Sequence, residues 1–195
     1  MDNITKSPIE KFPVYFNFSM DLLFGESISS HTLSCVNSAT GVSSKTTIVD
    51  SSEIVANEVK AVLKAGTEDD EHFIQCSVST SLSNIFQRDL LLFIQSVVSD
   101  SFNKHPIESF MYEVDFTRRL EGGDSVVSGV VVATRESDGG DVTASITNTV
   151  EVVNPKVGVP VKNGSDGETY LLGTRATSDD GYVYEKIIRM NVQEL

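Results

Sequence analysis

An internal repeat constrains the fold of this chain more than any other feature of its sequence. Residues 7–12 (SPIEKF) recur 98 positions later as residues 105–110 (HPIESF). At this offset the two halves align without a gap, and 17 of 88 aligned pairs are identical, where composition alone would give about five or six. The repeat therefore predicts two homologous domains, residues 1–98 and 99–195, each of ordinary domain size.

Acidic residues outnumber basic ones in both halves. The chain carries 28 Asp and Glu against 15 Lys and Arg, a net charge of −13. Residues 1–98 hold 12 acidic and 6 basic residues, and residues 99–195 hold 16 and 9, so the charge divides into −6 and −7. Because such a surface repels phosphate groups and anionic lipid, we expect neither a nucleic-acid partner nor a membrane partner.

Neither a leader nor a membrane segment is expected from the hydropathy pattern. No long apolar run follows the first residues, and the longest strongly apolar stretch, Leu90–Ile94, is far too short to span a bilayer. The chain holds only two cysteines, far fewer than a disulfide-stapled scaffold needs. We therefore expect a soluble protein that is made in a cytosol.

Patterns typical of β-strands fill the second half. In residues 111–116 the side chains of Tyr112, Val114 and Phe116 share one face, which is the period of a half-buried strand. Further strands are predicted at Val126–Thr134, Val142–Val153, Val157–Val161, Thr169–Thr177 and Tyr182–Val192, with a hairpin loop at Asn163–Gly167 and a linker at Ser99–Lys104.

The first half follows the same plan, so each half has six or seven strands in about 90 residues. Its second strand is predicted at Ile28–Val36 and its last two at Glu71–Thr80 and Ile85–Val98. The predicted fold is all-β, with two tandem immunoglobulin-like β-sandwich domains. A small barrel is the alternative architecture.

One segment also fits an amphipathic helix. Residues 52–64 place Ile54, Val55, Val59, Val62 and Leu63 on one stripe. The aligned residues 150–162 contain two prolines and a glycine, which a regular helix does not accept. Since homologous domains share their elements, the prediction favours strand.

No catalytic signature is present in the sequence. It lacks the Gly-rich phosphate loops and the His and Cys spacings of metal sites. A nucleophile pair of Cys35 or Cys76 with His31 or His72 is conceivable, but the second copy has Ala133, Thr174, Gly129 and Tyr170 at these positions. We therefore predict no enzyme, no catalytic residue, no cofactor-binding residue and no metal ligand.

The two cysteines allow two interpretations. Cys35 and Cys76 fall on the predicted second and penultimate strands of the first domain, which an inter-sheet disulfide joins in many immunoglobulin domains. The alternative, which a cytosolic origin favours, is a pair of buried free thiols.

Two kinds of loop are candidate binding sites. The acidic loops Thr67–Glu71, Asp138–Asp141 and Asp166–Glu168 contain the oxygen ligands that calcium needs, but none has the spacing of a calcium loop, so solvated turns are favoured. Pro8-x-Glu10 and Pro106-x-Glu108 open each domain, either as partner contacts or, as we favour, as the lead into a strand.

The second half also carries an ordered series of short motifs. They read P-x-E-x-x-x-Y-x-x-D-F-T, L-x-x-G-D-S-V, N-G-x-x-G-x-x-Y and T-S-D-D-G. The series resembles the phage fibre–tail adaptor family, whose members are small Ig-like virion domains. The residues that carry the resemblance are Pro106, Glu108, Tyr112, Asp115, Phe116, Leu120, Gly123, Asp124, Gly164, Gly167, Tyr170, Thr177 and Gly181.

The first half matches the family pattern less closely. It keeps Pro8, Glu10, Asn17, Phe18, Leu22, Gly25, Glu26, Ile28 and Gly66. His72 replaces the Tyr, and the late Gly is Ser83. In both copies a Phe, Phe18 or Phe116, stands where the family has Trp, and Asn84 and Tyr182 stand where it has Arg.

The resemblance implies a non-enzymatic virion protein that docks a fibre or accessory protein onto the tail or neck. Its partners would be other phage structural proteins, and many copies would assemble with them in the host cytoplasm. The pair Arg118-Arg119 stands in a predicted exposed turn where the first copy has Met20-Asp21, and this difference marks either a specific contact or sequence drift. The alternatives are a capsid decoration protein and a carbohydrate-binding module that uses Tyr182 and Tyr184.

Overall fold

The computed structural model describes residues 2–194. Two compact units, Met1–Ser96 and Val97–Leu195, divide the chain. Strands make up most of both units, and the helices of the described part are two single turns.

Unit 1 contains seven strands and one helical turn in two sheets. One sheet has the strand order β1-β7-β6-β3 and the other has the order β2-β5-β4. The elements are β1 (Asp2–Lys6), β2 (Phe12–Asn17), β3 (Ile28–Asn37), α1 (Lys45–Ile48), β4 (Val49–Val55), β5 (Glu58–Leu63), β6 (Glu71–Thr80) and β7 (Ile85–Ile94).

Unit 2 repeats this architecture. Its sheets have the orders β10-β13-β14-β8 and β11-β12-β9. The elements are β8 (Val98–Lys104), β9 (Phe110–Asp115), β10 (Val126–Arg135), α2 (Thr143–Ile146), β11 (Glu151–Val153), β12 (Lys156–Val161), β13 (Thr169–Ser178) and β14 (Val183–Val192). The strands β9, β10, β12, β13 and β14 begin and end 98 residues after their counterparts in unit 1.

The strand order confirms two immunoglobulin-like sandwiches. In each unit the first strand pairs parallel with the last, β1 with β7 and β8 with β14, and the other pairs within the sheets are antiparallel. Seven strands divided into sheets of four and three in this order form the immunoglobulin-like arrangement.

The core of each unit lies between its two sheets. Alternate residues of β6 and β13 are buried along their whole length, as expected for strands with one face on the core. Phe18 and Phe116, at the same place in the two copies, are fully buried. The period-two pattern of the sequence therefore marks the core side of the central strands.

The first strand of each unit was missed by the sequence prediction. Residues 99–104 are no linker: they belong to β8, which pairs with β14 from Ile187 to Val192. The segment is polar, with only Phe102 as a large apolar residue. An edge strand can be polar because backbone hydrogen bonds hold it and most of its side chains are exposed.

Two further predictions for unit 2 were wrong. The predicted strand Val142–Val153 is instead the turn α2 followed by the three residues of β11. The loop Asn163–Gly167 closes no hairpin, because β12 and β13 lie in different sheets.

The ambiguous segment of unit 1 is a strand hairpin, as predicted. In it β4 and β5 pair across a turn at Ala56 and Asn57. In unit 2 the matching ladder is shorter, since β11 pairs only with residues 156–158. Pro160 explains this difference, because it replaces Val62 and has no N–H to donate to the neighbouring strand.

Candidate docking surfaces

A buried lysine organises the turn between the first two strands of each unit. Lys6 is 1% exposed and Lys104 is 2% exposed. The Lys6 ammonium donates hydrogen bonds to the carbonyls of Ser7 (2.7 Å) and Ala65 (2.5 Å). Lys104 donates in the same way to the carbonyls of His105 (2.8 Å), Pro106 (3.3 Å) and Asn163.

The Pro-x-Glu motif closes the same turn. Glu10 accepts a hydrogen bond from the Ser7 N–H at 2.9 Å, and Glu108 accepts one from the His105 N–H at 2.6 Å. These bonds turn the chain from one sheet into the other, which favours a structural role over a partner contact. The sequence prediction missed the lysine, although it stands two positions before the Pro in both copies.

The cysteines lie on neighbouring strands of one sheet. β3 is the third strand of unit 1 and pairs directly with β6, so that Cys35 lies opposite Ile74 and Cys76 opposite Leu33. Such diagonal neighbours are about 7–8 Å apart, beyond the reach of an ordinary disulfide. Both residues are buried free thiols. Cys35 therefore lies on the third strand and not on the predicted second one, Cys76 lies on the penultimate strand as predicted, and the free-thiol interpretation is the one that the structure supports.

The histidines of unit 1 occupy structural hydrogen bonds. The His72 Nδ1 lies 2.9 Å from the Ser44 hydroxyl, which in turn lies 3.3 Å from the Cys35 sulfur. The His31 Nε2 lies 2.9 Å from the Ser52 hydroxyl.

Burial raises the pKa of the Cys35 thiol and raises that of Cys76 to about 12. Since the thiolate is the nucleophile, both residues are poorly suited to nucleophilic catalysis.

The acidic loops use their carboxylates in hydrogen bonds within the protein, in their own turn or to a neighbouring segment. Asp138 accepts a hydrogen bond from the Gly140 N–H, and Asp141 accepts two from Thr143. Glu68 accepts two from Ser96. Within residues 2–194 no group of three His, Cys, Asp or Glu side chains is placed to hold a metal ion. The structure thus favours solvated turns, and the lack of a metal stays a prediction.

Two loops meet at one end of each sandwich, and we call this pair of loops the tip. The tip of unit 1 comprises residues 18–27, between β2 and β3, and residues 81–85, after β6. The buried side chain of Glu26 joins the two loops. It accepts hydrogen bonds from the Leu23 N–H (2.9 Å), the Asn84 amide (2.8 Å) and the Thr80 hydroxyl. The hydrogen bond from Thr80 is the main cause that lowers the pKa of Glu26.

Five large apolar side chains are exposed on the outer surface of the unit 1 tip, beside several serines. The fractional exposures are 94% for Met20, 62% for Leu23, 108% for Phe24, 58% for Leu82 and 74% for Ile85. The two carboxylates of this tip have partners within unit 1: Glu26 is buried and hydrogen-bonded, and Asp21 forms an ion pair with Arg88. The tip is therefore a firmly held surface of large apolar side chains.

The tip of unit 2 comprises residues 116–125 and 179–183. Asp124 replaces Glu26, and both Asp124 and Asp179 accept a hydrogen bond from the Ser125 N–H. Burial, followed by the contact with Asp179, raises the pKa of Asp124, and the same contact lowers the pKa of Asp179. The two neighbouring carboxyl groups thus have pKa values that are shifted in opposite directions.

The outer residues differ between the two tips. The apolar set of unit 1 is replaced in unit 2 by Arg118, Glu121, Gly122, Asp180 and Val183. Arg118 is exposed, whereas the guanidinium of Arg119 lies over the Tyr184 ring at 5.9 Å. The predicted pair Arg118-Arg119 therefore offers only Arg118 fully to solvent. The sequence prediction noted this difference at one position and missed the apolar surface as a whole.

The tyrosines considered for sugar binding lie in the core. Tyr182 is 8% exposed and Tyr184 is 2% exposed. Sugar recognition by stacking needs accessible rings, so this pair of residues lends the carbohydrate alternative no support.

Comparison with known proteins shows that unit 2 is similar to one described family. Residues 104–191 match the model of the family described as "Podophage GP4 fiber-tail adaptor protein gp77". The match confirms the resemblance seen in the motifs of this unit and supports a structural adaptor role. None of the curated proteins compared with the chain matches it.

Solved structures of tandem immunoglobulin domains match nearly the whole chain. A chimeric titin Z1Z2 that carries a peptide from decorin has 10% identity and a TM-score of 0.36, with 100% of this chain and 94% of that chain covered. The Ig1-2 module of the Drosophila receptor protein tyrosine phosphatase DLAR has 9% identity and a TM-score of 0.32, with 99% and 95% covered. At these scores the immunoglobulin-like assignment rests on the strand order alone.

The helices of residues 2–194 are too short and too polar to cross a bilayer.

Proposed function

We propose that this chain is a bacteriophage virion adaptor that docks a fibre or accessory protein onto the tail or neck. The observation that carries the proposal is the match of residues 104–191 to a fibre–tail adaptor family. The charge of −13 supports protein partners over nucleic acid and anionic membrane. The chain would act in many copies in the particle and assemble in the host cytoplasm.

In this proposal unit 2, the part that matches the family, makes the family's docking contact. Unit 1 presents a second surface on the same scaffold. The division of labour is supported by the two tips, which share the backbone hydrogen bonds within and between their loops and differ in their outer side chains. An adaptor needs two different surfaces, and duplication followed by divergence supplies them.

The proposal is tested on purified particles. We expect the chain in stoichiometric amounts in the particle proteome, and we expect particles that are made without it to have tails without their fibres. Subunit counting by mass spectrometry and electron microscopy of the two particle populations provide the measurements. Particles that lack the chain, or that carry a full set of fibres without it, would contradict the proposal.

A further inference from the structure

We propose that the apolar tip of unit 1 is a docking surface that inserts into an apolar socket, edged by basic residues, on another virion protein. This inference rests on the proposed adaptor function and names the chemistry of one partner. The surface consists of Met20, Leu23, Phe24, Leu82 and Ile85.

The first argument is the size of the surface. Phe24, which is fully exposed, alone offers about 150–250 Å², and four further large apolar residues of the tip are each more than half exposed. A stable protein interface buries about 800 Å² on each partner. Five such residues on two adjoining loops thus supply a large share of an interface, whereas apolar residues scattered singly over a surface are ordinary.

The second argument is the rigidity of the surface. The buried Glu26 carboxylate holds both loops, and the Ser81 N–H donates to the Ser27 carbonyl at 2.9 Å. The first loop is also closed by the Asp21 N–H, which donates to the Phe18 carbonyl at 2.9 Å. A surface that is already ordered loses little conformational entropy on binding, which favours a specific partner.

The third argument is the contrast with unit 2. At four of the five aligned positions the tip of unit 2 has Arg118, Glu121, Gly122 and Asp180. The fold therefore does not require apolar residues at these positions. Large side chains that the core does not need, and that water disfavours, point to burial against another molecule.

Charge selects the class of partner. Unit 1 has 12 acidic and 6 basic residues, so a second copy or an anionic membrane would be repelled. Because Asp21 and Glu26 are engaged within the tip, the centre of the contact needs no opposite charge. A partner with an apolar socket and a basic edge complements both features.

The tip lies at the end of unit 1 where β7 begins. β7 begins at Ile85 in the tip and runs ten residues, about 33 Å, to Ile94 at the other end of the unit. The chain leaves unit 1 from that other end. The tip therefore lies at the end of unit 1 remote from the connection.

The test uses particles assembled with variant chains. The double variant Leu23→Glu and Phe24→Gly installs the residues found in unit 2 at two positions that are 62% and 108% exposed, so folding is expected to be unchanged. The matched control is Val42→Ser, which changes an apolar residue of unit 1 that is 65% exposed and lies outside the tip. Equal melting temperatures of the purified proteins verify that all of them fold.

We expect the double variant to reduce the particle's content of this chain, or of the protein bound to unit 1, at least tenfold, and the control to leave both unchanged. A photo-crosslinking amino acid at position 24 is expected to label a different virion protein at apolar residues, and the same probe at position 42 is not. Crosslinks only to a second copy, no crosslink at position 24, or normal particle composition with the double variant would overturn the inference.

The outcomes separate this inference from the proposed function. If the wild-type chain is present in particles and its loss removes fibres, while the tip variants behave as wild type, only the tip inference fails. If the wild-type chain is absent from particles, both fail. Binding of the purified protein to neutral phosphatidylcholine vesicles that the double variant abolishes would point to lipid and would also overturn it.

Discussion

The Lys6 ammonium donates a hydrogen bond to the carbonyl of Ala65, 59 residues further along the chain. Lys104 donates to the carbonyl of Asn163 across the same separation in unit 2. In each unit this contact ties the end of the first strand to the loop that leads from the three-stranded sheet to the four-stranded sheet. Two sheets with no covalent crosslink are thus joined at one end by a buried charge and backbone carbonyls.

Loss of the Lys104 ammonium is expected to destabilise unit 2. Lys104→Met keeps the length of the side chain but leaves three carbonyls without their donor, and hydrogen bonds from charged groups contribute about 1.5–3 kcal/mol each. We expect a loss of about 2 kcal/mol or more in the free energy of unfolding of the full chain in urea. Lys162→Met, which removes a surface hydrogen bond to Asn148, is the control, with an expected change within about 0.5 kcal/mol. Equal effects of the two variants would contradict the role of Lys104.

Gly164 is expected to tolerate no side chain. Its φ is +108°, and an added Cβ would lie 2.7 Å from a methyl group of Val192. Gly164→Ala should cost about 3 kcal/mol, from backbone strain and overpacking together. Gly167 has a φ of +77° but open space around it, so Gly167→Ala should cost only about 1 kcal/mol. Calorimetric unfolding of both variants measures the difference, and equal costs would show that the contact with Val192 is unimportant.

Unit 1 is expected to lose stability in mild acid through His72. Burial lowers the pKa of His72 in the folded state, the charge of Lys6 lowers it further, and Asp70 opposes the shift. The unfolded chain therefore binds a proton first, and stability is lost as the pH falls below about 6.5. Thermal unfolding of the full chain between pH 7.5 and 5 should show this loss.

Two histidine variants test whether His72 causes the loss of stability in mild acid. His72→Gln should flatten the dependence of the melting temperature on pH between about 7 and 5, whereas His31→Gln, on a half-buried residue of the same sheet, should retain it. If the His72 variant keeps the wild-type profile, another group is responsible.

The thiols of Cys35 and Cys76 are expected to stay reduced and unreactive in the folded protein. Both are buried, and burial raises the pKa of each thiol. Iodoacetamide should alkylate neither residue at neutral pH and both in denaturant, and the intact mass should be the same with and without reductant. A mass that rises on reduction would instead show a disulfide.

The sequence determined the repeat, the β class and the central strands, because these depend on short-range patterns. Phe18 and Phe116 mark the core at an offset of 98, and the alternation in residues 71–80 and 169–178 fixes the buried faces. A strand with one face in water and one in the core carries this period wherever it lies in the chain.

Only the tertiary structure decided which strands are neighbours and what lies at the edges. The polar edge strands β1 and β8 have no hydrophobic alternation, since backbone hydrogen bonds to β7 and β14 hold them. Cys35 and Cys76 are neighbours in one sheet because β3 pairs with β6. The apolar tip joins residues 18–27 and 81–85, which are far apart in sequence and are brought together by Glu26. Contacts of this kind depend on strand order, which no local pattern encodes.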